Sequence, residues 1–483
     1  MGKKKLIIGN HPLASNLIQQ YRIRDIIVEH QTDMSALDVN MSDFDELYLL
    51  TNNDVGSDDD TITALSQLIT GYEIDAHGGK KLTCHLLLQS NKTLQMLQTT
   101  DFCDAIKKKA DVYPFTMEEI WSHSIVLDRE PITMQSDKHV HLVIFGMDEL
   151  AQMVAIQAAH VAHYPNYVRN HSLRTRITMI SENAEAVCKG FMERYQHLFD
   201  NSFYRIVKPS DGKAVKVFHK PMYDGKREDF VDVEWEFVEA ESWNAEVREK
   251  LKLWAQDHEQ LLTVVMAERN VNRNVAMSLV LPNELYQHAI PIYNYCPTSE
   301  YDISMPLVQM AKIVNYIYDR CYNENVKDWK GLLRYTVEIN KEDMESSWAK
   351  LSNVKRMSSI YNAMTIPTKM RSLGLKEDDW DQFYDITQQD IELLAQVEHN
   401  RWSVEELILG FRPCSDEEQE KIAEDVKKYK DEYKARKIHY DLRAYNDLRP
   451  DGTGKPVQIY DLCLSACLPL IAKAYADEKG GDA

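Results

Sequence analysis

The sequence predicts an α/β protein: two tandem doubly wound parallel-sheet domains, then an α-helical connector and an α-helical C-terminal domain. Three observations predict it. An apolar run ending in glycine, Lys5–Gly9, opens a strand-helix-strand pattern; the same opening returns at His139–Gly146; and from residue 304 onward the apolar spacing is that of helices.

In the first domain, residues 1–134, the opening strand is followed by a helical pattern through Leu13, Leu17 and Ile18 and by a second strand, Asp25–Glu29. Asp45–Thr51 and Leu82–Gln89 supply further buried strands, with a helix over Asp60–Tyr72 between them. Strands separated by helical stretches pair in parallel, and a Rossmann-like sheet binds ligands beyond the carboxyl ends of its strands. An acidic residue ending the second strand can take ribose hydroxyls, and Glu29 stands there. The loop Gly9-Asn10-His11-Pro12-Leu13-Ala14 keeps the first Gly and the final Ala of G-x-G-x-x-G/A. It lacks the middle glycine that lets a backbone approach a pyrophosphate, and His11 with Pro12 would crowd that approach. Gly9 and Glu29 are the candidate nucleotide-binding residues here, with a purely structural module as the alternative.

A polar stretch, Asp128–Asp137, marks a boundary, and the second domain covers residues 135–303. His139–Gly146 is its first strand, Asp148–His163 its helix and Arg176–Ser181 its second strand, followed by Glu182. The loop Gly146-Met147-Asp148-Glu149-Leu150-Ala151 again lacks the middle glycine; Asp148 and Glu149 suit a helix start and would repel a phosphate. Leu261–Met266 and Ile290–Tyr293 fall where the fourth and fifth strands belong. Arg269 and Arg273 follow the first of these and are the cations best placed for an anionic ligand, or else a solvated helix start. Gly146, Glu182 and Arg269 are this domain's candidates. Both halves, roughly residues 4 to 300, resemble the TrkA-N-like, Rossmann-type domains that regulate potassium transport. That resemblance implies NAD or another adenine nucleotide as a bound regulator.

The connector, residues 304–384, begins with an amphipathic helix over Pro306–Asn323, continues helical from Glu342 through Trp348, Leu351 and Val354, and then over Ser358–Leu373. Trp348 and Tyr361 read as core aromatics. His160 and His163 stand three residues apart and read as surface or packing histidines in preference to a metal pair. In the last domain, residues 385–476, Asp390–Gly410 is a strong helix, capped by Thr387 or Asp390 and stopped by Gly410. Glu398, Arg401, Trp402 and Glu405 share one side of it. Glu398-His399-Asn400-x-Trp402, then Gly410-Phe411, then Lys437 to Tyr445, Leu448 and Tyr460-Asp461 resemble the RyR domain, the ryanodine-receptor repeat that also occurs in many bacterial proteins. The insert Ser415–Arg436 departs from that pattern and reads as one charged, solvated helix.

Arg401, Arg443 and Lys437 offer positive charge for phosphate, Trp402 and Tyr445 offer flat faces for a base, and Glu398 can take ribose or base donors, with His439 beside them. The bland alternative is a Glu398–Arg401 ion pair, a core Trp402 and a capping His439. The resemblance places such domains beside nucleotide-binding modules and implies a sensor role.

With 56 Lys and Arg against 76 Asp and Glu, the net charge of −20 opposes general nucleic-acid binding. The apolar run after the basic Met1–Lys5 is only Leu6–Ile8, and Leu462–Ala474 falls short of a membrane span, so a cytoplasmic protein is expected. The eight cysteines lack zinc spacing, and neither a P-loop, a GxSxG elbow nor an HExxH is present. The expected function is a non-catalytic cytoplasmic sensor or regulatory protein that binds a small nucleotide-like ligand; the repeat suggests a pseudo-symmetric pair of domains, and a homodimer is taken as the candidate assembly. The alternatives are a dinucleotide-dependent enzyme, oxidoreductase or nucleotide hydrolase, and a regulatory subunit of an ion-transport complex.

Overall fold

The structure is a computed structural model, which describes residues 4–23, 26–32, 39–51, 57–77, 79–208, 215–219, 229–296, 306–323, 339–375, 386–450, 454 and 456–481. The chain divides into two compact units. It is an α/β protein with parallel sheets in both.

The first unit is built on the residues up to Ser124, joined by Leu351–Met357. Its five strands are β1 (Lys4–Ile8), β2 (Ile27–Gln31), β3 (Glu46–Leu49), β4 (Leu82–Leu87) and β5 (Ala110–Phe115), in the order β2-β1-β3-β4-β5, all parallel. This is one of the two common doubly wound orders, with its switch point between β1 and β3. Leu6, Ile7 and Ile8 are fully buried, as a parallel strand covered on both faces requires. Ile7, Tyr48, Leu50, Leu87 and Phe115 pack under the helix Pro12–Ile23 through Leu13, Leu17 and Tyr21. The helix Asp58–Thr70 starts two residues before the expected Asp60, because Ser57 and Asp60 form a reciprocal cap. β5 was not expected. Its Pro114 argues against a strand, and the edge of the sheet is where a strand tolerates one.

The second unit runs from Ile125 to Tyr295 and takes in the C-terminal helices. Its strands are β6 (His139–Phe145), β7 (Thr175–Ser181), β8 (Phe203–Lys208), β9 (Val215–His219), β10 (Val233–Glu239), β11 (Gln260–Met266) and β12 (Ile292–Asn294). Their order is β12-β11-β6-β7-β10-β8-β9, with only β9 antiparallel. β11 and β12 lie beside β6 as their fourth and fifth places anticipated. β8, β9 and β10 extend the other side and were missed: β8 and β10 carry Arg205, Glu234 and Glu236 among their apolar residues, and Arg205 pairs with Glu236 while Arg176 of β7 pairs with Glu234 at 2.6 Å. Cross-strand ion pairs let charged positions lie on a largely covered sheet.

The connector helices form at Pro306–Asn323, Lys341–Ala349, Asn353–Met364 and Ile366–Ser372. The long helix Gln388–Ile408 begins with a Thr387–Asp390 capping box and ends before Gly410, whose φ of +84° only glycine adopts readily. It packs on the helices Glu149–Val161, Pro165–Arg169 and Gln196–Asp200 of the sheet layer and on Ile459–Ala466. These helices and the β6 sheet fall within one compact unit.

One further expectation needs correction. The Ser415–Arg436 insert is two helices, Asp416–Glu424 and Val426–Ala435, broken at Asp425, which caps the second. It is not a free-standing solvated arm, since Ile422 and Tyr433 are buried in a cluster with Cys414, Ile438 and Tyr440. Of the two readings of His160 and His163, surface or packing, the structure has packing: His163 is held between Asp232 Oδ1 at 2.8 Å and the Ala159 carbonyl at 2.9 Å, and His160 stacks on Tyr361 at 3.8 Å between ring centres. Trp348 is buried, as expected of a core aromatic. Among the described residues no helix is long and apolar enough to cross a membrane.

Candidate functional site

The two glycine loops come first, because a parallel sheet offers its ligand site there. Gly9 follows β1 with φ +123°, and a Cβ on it would lie 2.0 Å from the Leu50 carbonyl oxygen. That closeness belongs to the chain, since the Leu50 carbonyl accepts the His11 N–H at 3.1 Å. His11 Nδ1 in turn accepts the Leu13 N–H at 3.2 Å, and burial pushes its pKa down, so the ring is a neutral cap. Glu29 is corrected: β2 runs on to Gln31, so Glu29 lies mid-strand, half-exposed and paired with Lys4 at 2.7 Å. It is two residues short of the strand end where a ribose would be met, because the strand began two residues later than the sequence pattern indicated.

Gly146 repeats the geometry after β6, with φ +120° and a Cβ position 3.0 Å from the Ala267 carbonyl oxygen beyond β11. Here the helix start is filled by the chain itself. Asp148 Oδ1 accepts the N–H groups of Leu150 at 3.0 Å and Ala151 at 3.1 Å, and its Oδ2 accepts that of Arg269 at 3.3 Å. Arg269 pairs with Glu149 at 3.0 Å, and Arg273 bridges Glu182 at 3.1 Å and Glu268 at 3.0 Å. Glu182 does stand at the end of β7, but its partner is Arg273. A dinucleotide pyrophosphate needs the free N–H groups of a helix start and a positive surrounding. Asp148 already takes those N–H groups, and Glu149, Glu182 and Glu268 balance both arginines, so these residues do not fit an NAD-type cofactor.

In the C-terminal region the long helix presents two different sides. On one, Arg401 is fully buried: its Nε meets Glu398 at 2.9 and 3.1 Å, and its Nη1 meets Glu405 at 2.6 Å. Lys369 adds a second cation on Glu398 at 2.7 Å, and Ser358 donates to Glu405 at 3.1 Å. Burial alone would raise the Glu398 pKa, yet the Arg401 and Lys369 cations hold it at about 2. Burial dominates at Glu405 and pushes it up. Glu398 and Arg401 are thus corrected from ligand contacts to an internal ion-pair network, with Lys369 as the member the sequence reading missed. Arg443 is likewise turned inward, its Nε donating to the Tyr440 carbonyl at 2.8 Å.

The other side is aromatic. His399 is buried, with its ring centre 5.6 Å from Trp402 and 5.8 Å from Tyr445, and both of those rings are half-buried. His439 meets Trp402 edge-on at 4.9 Å and stacks on Tyr440 at 5.6 Å. His439 Nδ1 accepts the Asp441 N–H at 3.3 Å; burial, with Lys434 and Lys430 nearby, pushes its pKa down to about 3. The ring is neutral and carries its proton on Nε2. His399 lies 2.8 Å from the Arg443 carbonyl and 3.6 Å from Asp461. Burial opposes its charge, but the Asp461 carboxylate and the Arg443 carbonyl outweigh that and raise its pKa. Lys437 is exposed at φ +57°, its ammonium 4.4 Å above the Phe411 ring. The structure therefore brings Trp402, Tyr445 and His439 together around His399, with Lys437 outside and Arg401 elsewhere.

A raised histidine pKa stabilises the fold below the unfolded value and loses that contribution as pH rises through the folded value. The stability difference between the native protein and His399→Gln is accordingly expected to be largest below about pH 6.5 and to shrink above it. Urea titrations of both proteins across that range check this, and a difference that grows with pH would remove the His399–Asp461 tie.

Comparison with protein-family models, with curated proteins and with solved structures gave no match.

Proposed function

We propose that the protein is a cytoplasmic sensor or regulatory protein that binds a nucleotide-derived small ligand in its RyR-like region, at Trp402 and Tyr445. The observation that carries this reading is the pair of half-buried rings, both touching one buried imidazole. Aromatic faces left half open beside acceptor groups suit a planar base. Lys434 and Lys437 are exposed and Lys430 half-buried on the adjoining segment, where phosphate oxygens can be met. The second parallel sheet, read as Rossmann-like, acts here as a scaffold that holds the long helix through the helices covering it, and the helix starts of both sheets are closed, by His11 and by Asp148.

Calorimetric titration of the full chain with ATP, NAD, ADP-ribose and cyclic dinucleotides tests the reading. One of them is expected to saturate a site, and Trp402→Ala is expected to weaken it by about 5- to 150-fold, the worth of one base–aromatic stack of about 1–3 kcal/mol. Absence of saturable binding, or binding indifferent to Trp402→Ala, overturns it.

A further inference from the structure

Beside His439, which meets Trp402 edge-on, lies a carboxylate that nothing among the described residues completes. Asp441 is 7% exposed, and its Oδ1 is buried without a hydrogen-bond partner. Its nearest basic neighbour is His439, with Nδ1 3.9 Å from Asp441 Oδ2. That nitrogen already accepts the Asp441 N–H, so it has no proton to give the carboxylate. The other groups around Asp441 are His399 and Asp461, Lys430, Arg443 and Tyr318. His399 is engaged by Arg443 and Asp461, Arg443 donates to the Tyr440 carbonyl, and the Lys430 ammonium lies 5.6 Å from the Tyr440 ring centre. A buried acceptor left unmade is costly to a fold, and such groups mark places where a missing donor belongs.

Resting on the ligand site described above, we propose that Asp441 is its specificity-determining acceptor: Oδ1 takes the exocyclic amine of an adenine-type base stacked on Trp402 and Tyr445, while the phosphates stay outside on Lys430, Lys434 and Lys437. The donor chemistry fits. A base lying against Trp402 presents its N–H groups in its own plane, at the ring edge, which is where a carboxylate beside the stack can receive them. Arg401 and Arg443 do not compete for this acceptor, since both are engaged elsewhere within the chain. Burial has already pushed the Asp441 pKa up to about 6, so the acceptor is fully ionised only above that pH.

The test titrates the full chain, native and Asp441→Leu, with ATP and with purine riboside 5′-triphosphate, which differs from ATP only in lacking the exocyclic amine. The native protein is expected to bind ATP about 10-fold or more tightly than the analogue near pH 8, and to lose most of that preference near pH 5. Asp441→Leu, which removes both the charge and the acceptor, is expected to bind the two alike at both pH values. It should also unfold at a higher temperature than the native protein near pH 8, because it removes a buried uncompensated charge; this confirms that the variant is folded. Equal binding of ATP and the analogue by the native protein, or a preference that survives in Asp441→Leu, overturns the assignment of Asp441 and leaves the stacking site standing. No saturable binding of any nucleotide by the native protein overturns the site itself. Saturation by a phosphate-free polyamine, undisturbed by excess ATP, would replace the nucleotide with an organic cation.

Discussion

Arg401→Ala is expected to destabilise the protein by about 3–5 kcal/mol, the cost of breaking a buried ion pair from one side. Among the described residues, removing the guanidinium leaves Glu398 paired with Lys369 alone and Glu405 with no cation paired to it, and both carboxylates lie within the core. The pH dependence should change with it. In the native protein Glu398 is depressed to about 2, so its contribution is present above pH 4.5 and is lost as the pH falls toward 2. In the variant the buried carboxylates favour protonation, so stability is expected to rise as the pH is lowered through the carboxylate range. Arg401→Lys keeps a charge but cannot fork to two carboxylates, and should fall between. Guanidinium denaturation with slope and midpoint fitted together measures all three. A variant as stable as the native protein but unable to bind ligand would return Arg401 to the ligand.

Gly9→Ala is expected to cost about 3 kcal/mol or more, from a strained backbone and an overlap that no rotamer relieves. The added methyl would sit 2.0 Å from the Leu50 carbonyl oxygen, at φ +123°. The obstruction is backbone, and that same carbonyl holds the His11 N–H, so relief requires β1 and β3 to move apart. Loss of amide-exchange protection confined to Leu6–Ile8 and Leu47–Leu50 is the readout. Gly146→Ala faces a milder approach of 3.0 Å at a similar φ and should cost less. Near-native exchange in Gly9→Ala would mean that the β1–β3 junction yields.

Much of the fold was legible because it is written in local terms. β1 and β6 are unbroken apolar runs closed by glycine, and the long helix carries its own cap at Thr387 and its own stop at Gly410. β5 and the β8–β10 region were illegible because Pro114 and the Arg205, Glu234 and Glu236 positions obey edge placement and cross-strand pairing, which depend on neighbours far along the chain. The site divides in the same way. Trp402 and Tyr445 each lie against His399, and His439 meets Trp402 edge-on. Arg401 looked identical whether it faced a phosphate or a carboxylate, and what decides is Glu405 meeting it from the next turn while Lys369, on another helix, meets the Glu398 that Arg401 also holds. Asp441 stood inside the recognised stretch and escaped notice, because the lack of a partner is visible only in three dimensions.

The Asp148 carboxylate at the start of the Glu149–Val161 helix behaves as a tethered inhibitor. A group fixed by its own chain competes at an effective concentration on the order of millimolar or above, so a free anion of ordinary abundance is outcompeted without any clash. Vacating that seat would free the N–H groups of Leu150 and Ala151, but Glu149, Glu182 and Glu268 would still offset both arginines, so the helix start is closed twice, once by a side chain and once by charge.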